Sequence, residues 1–335
     1  MGLYLENGYV NIKYTLSHKC PFTFLLGGRA TGKTYGSILH AIDNNIPFAF
    51  MRRTQTQLEM LNKPELNPFI PVASDTGIPI EVVSVNRQLS NILVGEDKVN
   101  LGFMSAMSTF VNLRGFSAEN TKLMIYDEFI PEVHERAIKH EDSVIFNAYE
   151  SINRNRELKG NPPLQCLFLS NSNFLASPLL LALKIADIIP QMRDRGQTEY
   201  INTQRGIAIY NLWDSPISEQ KKETALYKAT RGTSFEEMAI YNNFSADETR
   251  DIMPMSIKSC KLLGRVGDVY IYSYSGGWYV SMHCSGKPRR EYDYTIEDIQ
   301  RFKRDNPRCW ERMIKHQIRY ENYYCKNIIR GMYIT

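Results

Sequence analysis

Over the first 190 residues, short and almost continuously apolar runs alternate with amphipathic stretches. Phe22-Thr23-Phe24-Leu25-Leu26, Pro47-Phe48-Ala49-Phe50-Met51, Leu123-Met124-Ile125-Tyr126 and Cys166-Leu167-Phe168-Leu169 have the length and composition of strands buried on both faces. Ile80–Val85 and Val99–Phe103 alternate instead, with a polar turn near Gly95-Glu96-Asp97. Helical spacing follows Tyr35 to Ala41, and again from Arg52-Arg53-Thr54 to Leu61. The stretch from His134 to Leu158 is polar, with Ala137, Val144, Ile145, Ala148 and Ile152 forming a partial apolar face. Leu179–Ile189 reads as a buried helix closed by Pro190, and the polar stretch Gln191–Tyr200, with Gly196, reads as a linker. Strands alternating with helices predict an α/β domain over residues 1–195 with a central, mainly parallel sheet. Residues 196–250 are expected to form a linker and polar helical subdomain. From Arg265 the pattern changes to hairpins: Val269–Tyr274 and Trp278–Met282 flank Ser275-Gly276-Gly277. Residues 251–335 are therefore expected to form a smaller α+β domain.

Two of the predicted strands end in chemistry. Gly27-Gly28-Arg29-Ala30-Thr31-Gly32-Lys33-Thr34 is a complete G-x-x-x-x-G-K-[ST] loop between a strand and a helix. Its glycines let the backbone approach a triphosphate, and its successive N–H groups with the helix N-terminus hold negative charge. Lys33 would neutralise the β- and γ-phosphates and Thr34 would offer a hydroxyl to Mg²⁺. Arg29 would reach the triphosphate from within the loop or ion-pair outside it. The second strand ends in Asp127-Glu128. Asp127 would hold Mg²⁺ through water while Glu128 polarises the attacking water, because metal coordination ties up the charge that a base needs. ATP and Mg²⁺ are the cofactors expected.

Composition adds limits. Six dispersed cysteines form no C-x-x-C and no Cys/His cluster, which argues against a disulfide frame or a zinc site. No apolar run is long enough to span a bilayer, and Met1-Gly2-Leu3-Tyr4-Leu5-Glu6 has neither a secretory n-region nor a myristoylation pattern. No membrane partner is expected. The net charge of +4 is unevenly spread: residues 301–335 hold nine Lys/Arg against three Asp/Glu, a net of +6, leaving −2 for the rest. Apolar residues at 310, 314 and 318 have helical spacing, which predicts a helix with a basic opposite face. Lys303, Arg304 and Arg308 are the candidate nucleic-acid contacts on that segment, against the alternative of a solvated face.

The phosphate loop with its internal arginine, the "FMRR" strand, "MIYDEF", "NRNRE" and "LFLSN" occur in this order and spacing. Together they resemble the DNA encapsidation ATPases of small short-tailed phages with protein-primed replication, ring-forming motors of the ASCE branch of phosphate-loop ATPases. The resemblance covers about residues 20–180 and is weak over the last third. It implies a pentameric ring at the portal (connector) of a procapsid in the host cytoplasm, which drives double-stranded DNA inward as ATP is hydrolysed. In some members the ring also docks on a structural packaging RNA. The catalytic roles it implies fall on Lys33, Glu128 and Arg154, the last as the arginine that a neighbouring subunit inserts at the γ-phosphate, with Arg156 as the alternative. Ser170-Asn171 matches a motif that couples hydrolysis to movement. Where family members carry a lysine after the Arg-Arg pair, this chain has Thr54-Gln55-Thr56-Gln57, which makes Gln55 or Gln57 a candidate contact for adenine.

Large terminases join a similar ATPase to an RNase H-like nuclease, whose first strand carries a metal-binding Asp. Trp278-Tyr279-Val280-Ser281-Met282-His283-Cys284 carries none, and Asp268, Asp293 and Asp298 have the spacing of turns and a helix start. The last domain therefore reads as a vestigial RNase H-like nuclease kept as a basic binding module. A packaging ATPase without nuclease activity is the leading reading. A terminase with a live nuclease, and a nucleotide-gated regulatory protein with negligible turnover, are the alternatives.

Overall fold

The apolar runs assemble side by side into one sheet. The computed structural model describes residues 2–61, 63–110, 118–130, 138, 140–171, 177–233 and 251–334. The chain divides into two units, Met1–Phe174 with Ile189–Asn243, and Leu175–Ile188 with Phe244–Thr335. In chain order the first elements are α1 (Ile12–Ser17), β1 (Phe22–Leu26), α2 (Lys33–Asp43), β2 (Phe48–Arg52), α3 (Gln55–Leu61) and α4 (Phe69–Thr76). They are followed by β3 (Ile80–Asn86), β4 (Leu89–Val94), β5 (Val99–Ala106), α5 (Met107–Phe110), β6 (Leu123–Asp127), α6 (Glu141–Asn153) and β7 (Gln165–Ser170). After α7 (Pro178–Ala182) come α8 (Ile188–Asp194), β8 (Glu199–Asn202), β9 (Ile207–Asn211), α9 (Pro216–Lys221) and α10 (Ala225–Ala229).

Among the described residues of the first unit, the sheet order is β3-β4-β5-β2-β6-β7-β1-β9-β8. The six strands from β5 to β9 in that order are parallel, and β3, β4 and β8 are antiparallel at the edges. A strand covered on both faces must be apolar on both, and all five residues of β6 are buried accordingly. On one face Ile38, Ala41 and Ile42 of α2 pack with Leu25, Phe50, Ile125, Leu167 and Tyr210 of the strands. Strand β7 lies between β1 and β6, so Leu26 is level with Ser170 and Asp127 with Leu169. The phosphate loop and the acid pair thus emerge one strand apart at the same carboxyl edge, where open α/β sheets bind ligands.

Four expectations change. The supposed linker at 196–211 supplies β8 and β9, and Phe22–Leu26 pairs in register with Ile207–Asn211. The apolar run Ile207–Tyr210 caps the open edge of β1, which a solvated linker would leave exposed. Over the rest of 196–250, α9 and α10 are helical, and residues 234–250 lie outside the described residues. The single helix expected over Leu179–Ile189 is broken at Lys184, whose φ is 54°. Pro190 falls in the first turn of α8, where its missing N–H costs no helical bond. Strand β4 was not anticipated; Ser90 and Asn91 interrupt its apolar alternation, and pairing with β3 and β5 decides it.

In the second unit, β10 (Lys261–Val266), β11 (Val269–Tyr274) and β12 (Gly277–Ser281) are antiparallel, with β13 (Glu291–Tyr292) and β14 (Ile318–Tyr320) parallel at the edges. Val266, Ile271, Val280, Phe302, Ile318 and Ile329 form its core. The continuous helix expected through 310, 314 and 318 does not form. Cys309–Ile314 is helical, His316 turns the chain with φ 54°, and Ile318 enters β14. Trp310 and Ile314 are 46% and 61% exposed rather than core-facing, because β14 is drawn off to pair with β12. Asp268 and Asp298 have separate structural jobs. Asp268 accepts from the Tyr324 hydroxyl at 2.6 Å, and Asp298 accepts from the Asp293 amide at 2.8 Å and pairs with Arg301 at 2.7 Å.

Candidate nucleotide site

The loop between β1 and α2 has the shape its glycines allow. A Cβ on Gly27 would lie 2.6 Å from Leu212 Cβ, so no larger residue fits beside β9. Gly32 has φ 87°, with the Tyr9 ring against its Cα. The amide of Gly27 donates to the Ser170 carbonyl at 3.2 Å and that of Val10 to Thr31 at 3.1 Å, which ties the loop to β7 and to the N-terminal segment. Gly28 is buried with Gly27, whereas Arg29 and Ala30 form the exposed crest, Ala30 in the left-handed region at φ 59°.

Lys33, the first residue of α2, is 5% exposed. Its ammonium donates to Gly27 O at 3.0 Å, Gly28 O at 2.9 Å and Thr31 Oγ1 at 3.1 Å. Burial brings its pKa down to about 7, against the opposing pull of Asp127 and with a further lowering from Lys221. A triphosphate in the loop would reverse that balance by offering the ammonium an anionic partner. Lys221 was not anticipated. From α9 its ammonium donates to the Arg29 carbonyl and sits 5.2 Å from the Tyr227 ring, a second cation at the loop.

Thr34 Oγ1 donates to Asp127 Oδ1 at 2.9 Å. A hydroxyl and a carboxylate oxygen so placed at the mouth of a phosphate loop suit a hard, oxygen-seeking cation such as Mg²⁺. Glu128 follows at the strand end with φ 55°, a conformation uncommon for a side-chain-bearing residue and one found preferentially at functional sites. Sequence reasoning left Arg52 unassigned, although a charged doublet at the end of an apolar strand was the available signal. Strand β2 pairs with β6, and this delivers the Arg52 guanidinium to both acids. It lies 3.0 Å from Asp127 Oδ2 and ion-pairs with Glu128 through Nη1.

Arg53, next in sequence, turns the other way into the protein. It is fully buried and forms a bidentate pair with Glu141 at 2.9 and 3.0 Å, and the Tyr126 hydroxyl joins at 3.1 Å. This fixes the start of α6 against β2 and β6. Gln57 and Thr54 form a reciprocal cap on α3, with bonds of 3.1 and 3.3 Å. Gln55 bonds Arg87 O, Glu59 and Thr109. Both glutamines thus make local contacts that order α3 and its surroundings.

At the far end of α6, Arg154 caps the helix with φ 45° and pairs with Glu119. Arg156 instead folds onto backbone, donating to Asn153 O, Thr121 O and Ile152 O at 2.8–3.1 Å. Of the two arginines that sequence left as alternatives, Arg154 is the more exposed, and Arg156 is held on backbone carbonyls. Ser170 is buried between the loop and the acid pair, and Asn171 follows it. In the other unit, Arg304 and Arg308 are exposed, and Lys303 lies 5.8 Å from the Tyr333 ring at the end of helix Ile296–Asp305.

A parallel sheet with a phosphate loop on β1, an acid pair on β6 and β7 between them defines a phosphate-loop ATPase of the ASCE type. Residues 6–328 match the family model of the podovirus DNA encapsidation protein (Gp16), so the chain belongs to that family of phage DNA-packaging motor ATPases. In fold it is similar to a chain of the bacteriophage Phi-29 viral genome packaging motor assembly, at TM-score 0.66 and 18% identity, covering 99% of this chain and 100% of that one. The Phi-28 gp11 DNA packaging motor gives TM-score 0.65 at 15% identity, covering 98% of this chain and 97% of that chain. No curated protein matches the sequence.

Proposed function

We propose that this chain is the subunit of a ring, pentameric by resemblance, that hydrolyses ATP and drives duplex DNA through the portal of a procapsid in the host cytoplasm. The observation that carries the reading is the convergence of Lys33, Thr34, Asp127 and Glu128 on one sheet edge, with Thr34 already bonded to Asp127. Loop amides 27–34 and the Lys33 ammonium receive the phosphates. Thr34 and Asp127 hold Mg²⁺, which when bound neutralises charge across the β- and γ-phosphates. Glu128, released from Arg52, orients water and takes its proton. Arg154 of a neighbouring subunit stabilises charge on the transferring phosphoryl group, and its exposed position beside a structurally committed Arg156 supports that choice. Ser170, whose carbonyl accepts from the Gly27 amide of the loop, and Asn171 after it transmit the change on hydrolysis. The second unit serves as a basic module that grips DNA or a packaging RNA through Lys303, Arg304 and Arg308, without nuclease chemistry.

The test is steady-state phosphate release with and without duplex DNA, on wild type, Glu128→Gln, Arg154→Ala and a mixture of the two variants. DNA-stimulated hydrolysis lost in each variant and partly recovered on mixing supports the reading. Recovery requires an intact Glu128 on one subunit to meet an intact Arg154 from the next. Turnover unaffected by Glu128→Gln would overturn it, and metal-dependent nicking of DNA would favour the terminase alternative.

A further inference from the structure

In the turn Asn153-Arg154-Asn155-Arg156-Glu157, the Asn153, Arg154, Arg156 and Glu157 side chains each make distinct contacts. Arg154 and Asn155 both lie in the left-handed region, at φ 45° and 53°, uncommon for side-chain-bearing residues though less so for Asn, and here enforced by the surroundings. The enforcement is visible. Asn153 is buried, donates to Glu157 at 2.6 Å and accepts from the Leu164 amide at 2.9 Å. Arg156 staples this turn to the segment before β6, through Thr121 O at 2.8 Å and Glu119 O at 3.5 Å. That staple sets the Glu119 carboxylate beside Arg154, with Arg154 Nη1 2.5 Å from Glu119 Oε1. The side chains of the pair are 39% and 64% exposed, in contrast with the fully buried Arg53–Glu141 pair at the other end of α6.

We propose that Glu119 is a positioning residue that parks Arg154 on its own subunit, so that the arginine enters a neighbour's site by exchanging this carboxylate for a phosphate. The inference rests on the reading of Arg154 as an arginine acting in trans. An exposed pair is weak enough to be given up to a polyanion, yet directional enough to hold a long side chain out of the solvent-averaged ensemble. The rigid turn keeps the Cα of Arg154 in place, so the exchange needs only side-chain torsions.

Glu119→Gln keeps the shape and removes the charge. In assembled rings it should raise kcat/KM for ATP roughly two- to fivefold, the range an exposed pair is worth. The gain should vanish when the same substitution is made on Arg154→Ala, read by single-turnover hydrolysis. A merely fold-supporting Glu119 would lower Tm and kcat together, and would do so equally in both backgrounds. An unchanged or reduced kcat/KM in Glu119→Gln, with Arg154→Ala inactive, overturns the parking while leaving the trans arginine standing. Full activity of Arg154→Ala overturns both.

Discussion

The Arg52 guanidinium is ion-paired with the carboxylate of Glu128 while also lying 3.0 Å from Asp127. One cation therefore bridges the residue expected to hold metal and the residue expected to activate water. A carboxylate turned toward a guanidinium is not turned toward a nucleophile. If Glu128 is the base, this pair holds it engaged, and hydrolysis requires Arg52 to give it up.

Arg52→Ala should therefore retain ATP binding and raise hydrolysis in the absence of DNA, weakening the dependence of turnover on DNA. The same change strands the buried Asp127, which should cost about 3 kcal/mol of stability, recovered in part by Mg²⁺. Phosphate release without DNA, together with Tm with and without Mg²⁺, checks both effects. A basal rate below wild type would show that Arg52 assists Glu128.

If Lys33 receives the phosphates, the affinity for nucleotide should depend on pH. Its pKa of about 7 in the nucleotide-free loop comes from burial, and a bound triphosphate raises it. Binding must then take up a proton wherever the free protein has lost it, which is above about pH 7. Affinity should fall as pH rises from 7, by at most about tenfold per pH unit, and should flatten below 7. Calorimetric titrations of the same protein in buffers of different ionisation enthalpy would measure the proton uptake directly. Lys33→Ala should bind more weakly and lose the pH dependence.

The buried pair Arg53–Glu141 anchors the start of α6, the helix that presents Arg154 at its other end. Removing one partner takes a buried counter-charge away from the other. Arg53→Met and Glu141→Gln should each lower stability by about 3–5 kcal/mol, far more than removal of the exposed Arg87–Glu59 pair. Denaturant unfolding of the three variants would rank them.

Exposed basic residues in the second unit predict a salt-dependent grip. Replacing Arg304 and Arg308 with Gln should weaken binding to all duplex sequences alike. It should also reduce the slope of log K against log salt by about 0.9 for each phosphate no longer neutralised. Fluorescence titrations at several salt concentrations would read the slope, and an unchanged slope would mark this face as merely solvated.

The chemistry at the sheet edge was legible because it is local. Apolar runs of strand length, a phosphate loop spaced between strand and helix, and two acids after an apolar run are properties of neighbouring residues. They suffice to predict β1, β2, β6 and β7 and to single out Lys33, Thr34, Asp127 and Glu128. Arg52 was written in the same strand as the apolar residues before it, but its partners lie 75 and 76 residues away in sequence. Only the parallel pairing of β2 with β6 joins them. The same holds for Arg154 and Arg156, two identical side chains at i and i+2. One is presented and the other spent on carbonyls because left-handed backbone at two successive residues points them apart.

Sequence by itself determined the α/β class, the phosphate loop and the acid pair, because periodicity and motif spacing act over a few residues. Tertiary structure alone decided that residues 199–211 close the sheet beside β1 and that the apolar residues at 310 and 318 part between a helix and a strand. It also decided that one arginine bridges the two acids. A strand edge must find a partner and a buried charge must find its counter-ion, and both demands are met by residues far away in the chain.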